Sequence, residues 1–183
     1  KIPFATTDQV DRPVSLYAAT KKSNELMAHA YSKLYKIPLT GLRFFTVYGP
    51  MGRPDMAYFK FAKKIMNGEP IQIYNNGDMY RDFTYIENVV EANLKACLAS
   101  HEAAGNAFNI AYGVEENLLD SYHSLTKVLG VEVAPKFGPD RAGDIKFSNA
   151  DISKAKALLG YDPDYDFASG LQEAIQWYKE NLS

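Results

Sequence analysis

Apolar and polar positions change their period several times along the chain, and each change marks an element. After Pro13, the residues Leu16, Ala19, Met27, Ala30, Tyr31 and Leu34 predict a helix running to about Tyr35, capped by Ser15, with those six side chains buried. Pro38 breaks that pattern, and Leu39 to Val47 then reads as a largely buried strand ending in the turn-rich segment from Tyr48 to Pro54. A helix is expected over about 55–66, stopped at Asn67-Gly68. Ile71 to Tyr74 alternates as a short strand into the Asn76-Gly77 turn. From Tyr85 another helix sets Ile86, Val89, Val90, Leu94 and Leu98 roughly on one side, and Ala107 to Ala111 follows as a buried strand. Leu118, Tyr122, Leu125 and Leu129 mark a helix that Gly130 ends, and two further helices at about 152–159 and 167–182 finish the chain. Helices alternating with apolar strands define an α/β protein with parallel pairing in its first part, and the second part is less regular.

Composition narrows the picture. With 183 residues, 46% hydrophobic and 23% charged, the chain has material for a folded core. A net charge of -2 leaves no footprint for nucleic acid or a phospholipid surface. Cys97 is the single cysteine, which excludes an internal disulfide framework; its apolar helical surroundings mark it as a small core residue in a reducing cytoplasm. No apolar run approaches the roughly 20 residues of a membrane span, and no signal peptide is visible. Because Lys1 is not an initiator Met, the chain is expected to start inside something longer or to have been trimmed.

Several chemistries find no pattern here. His29, His101 and His123 lie far apart without metal-ligand spacing, so no zinc site is expected. There is no G-x-S-x-G elbow, and the only Lys-Ser pair, Lys22-Ser23, follows no glycine and makes no Walker loop. Tyr17 and Lys21 do stand out. Four residues apart on a helix, they share a face. An ammonium close to a phenol favours the phenolate, which makes the tyrosine a usable base near neutral pH.

Three segments occur in order: Ser15-Leu16-Tyr17-Ala18-Ala19-Thr20-Lys21, then Leu42 to Pro50, then Arg81-Asp82-Phe83-Thr84-Tyr85-Ile86. Together they resemble the C-terminal half of an extended short-chain dehydrogenase/reductase acting on nucleotide sugars. Gly52-Arg53-Pro54-Asp55-Met56, following Thr46, is similar to the UDP-glucuronate 4-epimerase group within that family. The resemblance implies the C-terminal part of an NAD(P)-binding Rossmann domain at 1–46 and 83–111. A small α/β nucleotide-sugar-binding domain would comprise 47–82 and 112–183. It implies C4 epimerisation of a UDP-sugar through a transient 4-keto intermediate, with no net redox and with NAD as cofactor.

The resemblance also distributes roles. Tyr17 would be the base at the sugar C4 hydroxyl, and Lys21 would hold the nicotinamide ribose. Phe44 would lie near the nicotinamide, or else be a core strand aromatic. Thr46 and Arg53 would recognise the sugar carboxylate, for which a planar guanidinium is well suited. Gln72 and Tyr74 would receive uracil, Arg81 and Arg141 the diphosphate, and Asp144 the uridine ribose. Asp82 is expected to be a structural partner, and no metal is implied.

The chain departs from that family in one respect. None of its 12 glycines forms the G-x-G-x-x-G turn that a dinucleotide pyrophosphate requires; Gly49 and Gly52 come closest, with Asp55 where a third would stand. The adenine- and pyrophosphate-binding half is therefore expected to lie upstream, along with a Ser or Thr partner for the sugar hydroxyl. Alone, the chain is expected to be idle and to bind NAD weakly, with uncovered apolar faces that favour a homo-oligomer. A UDP-glucuronate decarboxylase, a sugar-nucleotide dehydratase and a non-catalytic UDP-sugar-binding fragment remain alternatives.

Overall fold

A computed structural model describes residues 1–140 and 144–182. Its first elements are α1 (Leu16–Tyr35), β1 (Gly41–Phe44), β2 (Thr46–Tyr48), α2 (Ala57–Met66), β3 (Gln72–Ile73), β4 (Tyr80–Arg81), β5 (Phe83–Tyr85) and α3 (Ile86–Leu98). Then come β6 (Ala107–Ile110), β7 (Glu116–Asn117), α4 (Leu118–Leu129), β8 (Lys136–Phe137), β9 (Phe147–Ser148), α5 (Ser153–Leu159) and α6 (Phe167–Asn181).

The expected α/β class with parallel pairing is what the structure has. β1 pairs in parallel with β6, and β2 in parallel with β5. The apolar run from Leu39 to Val47 is thus two short strands rather than one. Phe45 donates its N–H to Ile110 and Thr46 donates to Asp82, so the chain changes partner between them. In the later part β4 lies between antiparallel β7 and parallel β9, and β3 pairs in parallel with β8.

Local chemistry accounts for the helix ends. The Ser15 hydroxyl accepts the Ala18 N–H at 3.1 Å, and Asn117 caps α4 by accepting from Leu119 and Asp120. Gly130 ends α4 in the left-handed region, φ 72°, where a side chain would be strained.

Two apolar clusters form the core. One gathers Tyr48, Tyr58, Phe83, Tyr122, Phe167 and Tyr178 beneath α2, α4 and α6; the other packs Phe108 and Ile110 of β6 against Val89, Ala155 and Tyr161. Asp82, between β4 and β5, is fully buried. Its carboxylate accepts N–H groups from Tyr112 at 3.0 Å, Gly113 at 3.1 Å and Ala150 at 3.2 Å, the structural role expected of it.

Two expectations about burial fail. No residue of α1 is fully buried; Leu16, Met27, Tyr31 and Leu34 are exposed, Leu16 by 82%. Of the six expected positions only Ala19 is half-buried; the inward-facing side of α1 is otherwise the small and polar set Ala18, Lys22, Glu25, Ala28 and Ser32, all half-buried. Nothing among the described residues covers the opposite, apolar face. On α3 only Val89 of the expected stripe is fully buried, beside Asn88 and Ala92, while Val90, Leu94 and Leu98 point outward. Cys97 shares that outer surface and is exposed, not a core residue.

Candidate functional site

Thr46, Gln72, Tyr74, Arg81 and Asp144, which come from four separate stretches of chain, line one cleft of about 320 Å³. The sheet explains why. The β2–β5 register sets Thr46 opposite Phe83, and the Asp82 carbonyl accepts the Thr46 N–H at 3.2 Å. Strand alternation along β3 buries Ile73 and leaves Gln72 exposed.

Gln72 and Tyr74 share a floor. Gly138 donates its N–H to Ile73 at 2.8 Å, and a Cβ built at Gly138 would lie 2.8 Å from Gln72 Nε2 and 3.1 Å from the Tyr74 ring. The missing side chain is what lets both polar groups lie over β8. Gly138 was not singled out by sequence reasoning, because a lone glycine in a polar stretch reads as a turn.

Arg81 is held by carbonyl groups. Its Nη1 donates to Tyr80 at 2.8 Å and to Lys146 at 3.3 Å, and Nη2 lies 3.4 Å from an Asp144 carboxylate oxygen. Burial lowers the guanidinium from its ordinary value, and Asp144 opposes that shift. The result is a fixed cation in a partly desolvated wall, suited to an anionic ligand. Arg141 lies outside the described residues.

Lys60 on α2 adds a second cation to the cleft, and Asp55 adds a carboxylate. Lys60 was missed as well, since a lysine in an amphipathic helix reads as a solvated face.

Arg53 stands at the rim and does not line the main cleft. Its Nε and Nη2 donate to the two Asp55 oxygens at 2.7 and 2.8 Å. It lines a smaller neighbouring pocket with Tyr48 and Tyr178, and Thr46 forms part of the wall of both. The Asp55 hydrogen bonds hold the Arg53 guanidinium above its ordinary value.

On α1, Tyr17 and Lys21 share a face as their spacing predicts. The Lys21 ammonium lies over the Tyr17 ring, 5.4 Å from its centroid, and both side chains are exposed. Phe44, at the end of β1 opposite Ile110, is 48% exposed, so the reading of it as a core aromatic fails. Glu25 and Arg43, also unforeseen, tie α1 to β1 through two hydrogen bonds of 2.6 and 2.8 Å. Among the described residues no three His, Cys, Asp or Glu converge as a metal site, and no helix is long and apolar enough to cross a membrane.

Known proteins are similar to this chain in sequence and in fold. An uncharacterized protein of Methanocaldococcus jannaschii is 48% identical over 181 residues, 99% of this chain and 55% of its own length. A probable UDP-glucuronate 4-epimerase of Rhizobium meliloti is 40% identical over 198 residues, 99% of this chain and 58% of its own. The crystal structure of UDP-glucuronic acid 4-epimerase from Bacillus cereus, in complex with UDP-glucuronic acid and NAD, superposes with a TM-score of 0.86 at 36% identity. That superposition covers 92% of this chain and 54% of the epimerase. The chain thus spans a little over half the length of these relatives. Residues 2–111, more than half of the chain, match the NAD dependent epimerase/dehydratase family, and the chain belongs to that family.

Proposed function

We infer that the full-length protein carrying this chain epimerises a UDP-sugar at C4, with UDP-glucuronate and UDP-galacturonate as the interconverted pair. The observation that carries this reading is the convergence of Thr46, Gln72, Tyr74, Arg81 and Asp144 on one cleft, with Arg53 at its rim. A cleft of about 320 Å³ with a few fixed polar groups suits a small-molecule ligand.

In this reading Gln72 and Tyr74 take the uracil above Gly138, Arg81 takes the diphosphate, and Asp144 takes the ribose. Arg141 would join Arg81 at the diphosphate. Thr46 and Arg53 take the sugar carboxylate, through the planar contact that a guanidinium makes best. Tyr17 removes the C4 hydroxyl proton as that carbon is oxidised, and returns it when the 4-keto sugar is reduced on its other face.

Tyr17, Lys21 and the half-exposed Phe44 offer a phenol, an ammonium and an apolar ring at open surfaces. That set fits the nicotinamide end of NAD, with Lys21 at the ribose. When bound, NAD supplies hydride acceptance and return. No Gly-rich pyrophosphate turn exists among the described residues, so this chain alone is expected to hold NAD weakly and to be idle. Residues 1–46 and 83–111 would then be the cofactor-binding portion, and 47–82 with 112–183 the nucleotide-sugar portion. The uncovered apolar face of α1 supports a homo-oligomer, and a single cysteine, Cys97, is in keeping with a reducing, cytoplasmic site of action.

Product analysis tests the reaction. Full-length protein given NAD and UDP-glucuronate should approach a mixture with UDP-galacturonate without accumulating reduced cofactor. Release of carbon dioxide with a UDP-pentose would replace the epimerase by a decarboxylase.

A further inference from the structure

The Arg53–Asp55 bridge lies on the boundary between the two pockets. Asp55 lines the main cleft, Arg53 the smaller one, and Thr46 is common to both. The bridge uses Nε and Nη2, one of the two edges by which a guanidinium meets a carboxylate through paired hydrogen bonds. This edge, on an Arg that lines the smaller pocket with Thr46, is the one we consider contested. An Arg cannot present that edge to two carboxylates at once without bringing like charges together. Asp55 is therefore a built-in competitor for the group that the reading above assigns to the sugar carboxylate.

The bridge is also well placed to open. Both side chains are more than half exposed, and exposed ion pairs are weakly held. Lys60 lines the same cleft and already acts on Asp55, so a counter-charge awaits that carboxylate if it leaves Arg53. Thr46, on the wall shared by the two pockets, marks the side from which a ligand carboxylate would meet the fork.

We propose that Asp55 is a specificity-determining residue: it competes for the Arg53 fork and yields it to a substrate carboxylate, while a sugar lacking that carboxylate leaves the bridge closed. The proposal rests on the assignment of Arg53 to the sugar carboxylate. Selectivity is then a difference between two carboxylate partners of one Arg, and competition from Asp55 limits how large it can be.

Calorimetric titration of the full-length protein with UDP-glucuronate and with UDP-glucose tests this. Asp55→Asn should raise the preference for UDP-glucuronate roughly 2- to 5-fold, the range an exposed ion pair supports. Arg53→Ala should abolish the preference, and adding Asp55→Asn to it should change nothing further. If Asp55→Asn tightens both sugars equally, or acts the same with Ala at position 53, Asp55 contributes only overall charge and the exchange is wrong. Loss of preference in Arg53→Ala alone would then still leave the carboxylate assignment standing. An undiminished preference in Arg53→Ala would overturn that assignment and the exchange together.

Discussion

The Arg43 guanidinium on β1 grips the Glu25 carboxylate on α1 through two hydrogen bonds, from Nε at 2.6 Å and from Nη2 at 2.8 Å. This pair faces inward on a helix whose apolar side chains face outward, so it fixes where Tyr17 and Lys21 stand relative to the sheet. Arg43 holds the Glu25 carboxyl below the usual range, chiefly through that hydrogen bond. A depressed carboxyl stabilises the fold above its unfolded value, about 4.3, and loses that contribution as the pH falls through the lower folded value. Glu25→Gln should cost about 1 kcal/mol or less at pH 7, after allowance for solvent screening of a partly exposed pair. The gap between variant and parent should close in acid. Urea unfolding at pH 7 and at pH 3.5 checks both statements; a gap that persists in acid would contradict the assignment.

Asp82 has the opposite sign. Burial pushes its carboxyl up to about 6, against the pull of the three backbone N–H groups, and Glu115 adds to the rise. The folded state then keeps a proton that the unfolded chain has lost, so stability falls as the pH rises from about 4 to 6 and is level above. The full change is on the order of 3 kcal/mol or less. Asp82→Asn should remove this slope. It should also cost about 1–3 kcal/mol, because an amide nitrogen cannot accept all three N–H groups. Denaturant midpoints for both proteins between pH 4 and 7 are the measurement, and parallel slopes would refute it.

Gly170 on α6 has no room for a methyl group. A Cβ there would come within 2.5 Å of the Tyr48 hydroxyl and 2.7 Å of Tyr85 Cβ. Gly170→Ala should therefore destabilise by about 1–3 kcal/mol through overpacking, despite the better helix propensity of alanine. Thermal unfolding decides the matter; a stabilised variant would mean that the aromatic cluster can yield.

Arg81 should act on every ligand that carries the diphosphate. Arg81→Ala is expected to weaken UDP-glucuronate and UDP-glucose alike, by roughly 10- to 100-fold, the scale of a charged hydrogen bond. Titration of the full-length protein with both sugars measures it. A loss confined to the glucuronate would move Arg81 to the sugar carboxylate.

The elements were readable in the sequence wherever one residue set both marked and ended them. Leu118, Tyr122, Leu125 and Leu129 recur at helical spacing, and Gly130 takes the left-handed turn that stops α4. Periodicity also showed that α1 has an apolar face, but it cannot say which element covers a face. On α1 the half-polar line through Lys22 and Glu25 is the one turned inward. The strand around Leu42 divides at Phe45 because two different strands claim its halves, and pairing of that range is not written in local pattern. Thr46, Gln72, Tyr74, Arg81 and Asp144, which the family resemblance singles out, do line one cleft. The partner of Arg53 could not be named that way: spacing shows that Asp55 is near, and only the folded loop shows it taking the guanidinium fork.

The most direct test of the proposed chemistry follows the hydrogen on C4. UDP-glucuronate carrying deuterium at C4 is incubated with the full-length protein and NAD in ordinary water, and the UDP-galacturonate formed is examined by mass and NMR. A hydride removed and returned within one site keeps its label, so the deuterium should remain on C4 of the product. Loss of that deuterium to solvent would contradict oxidation and return at C4, and with it the role assigned to Tyr17.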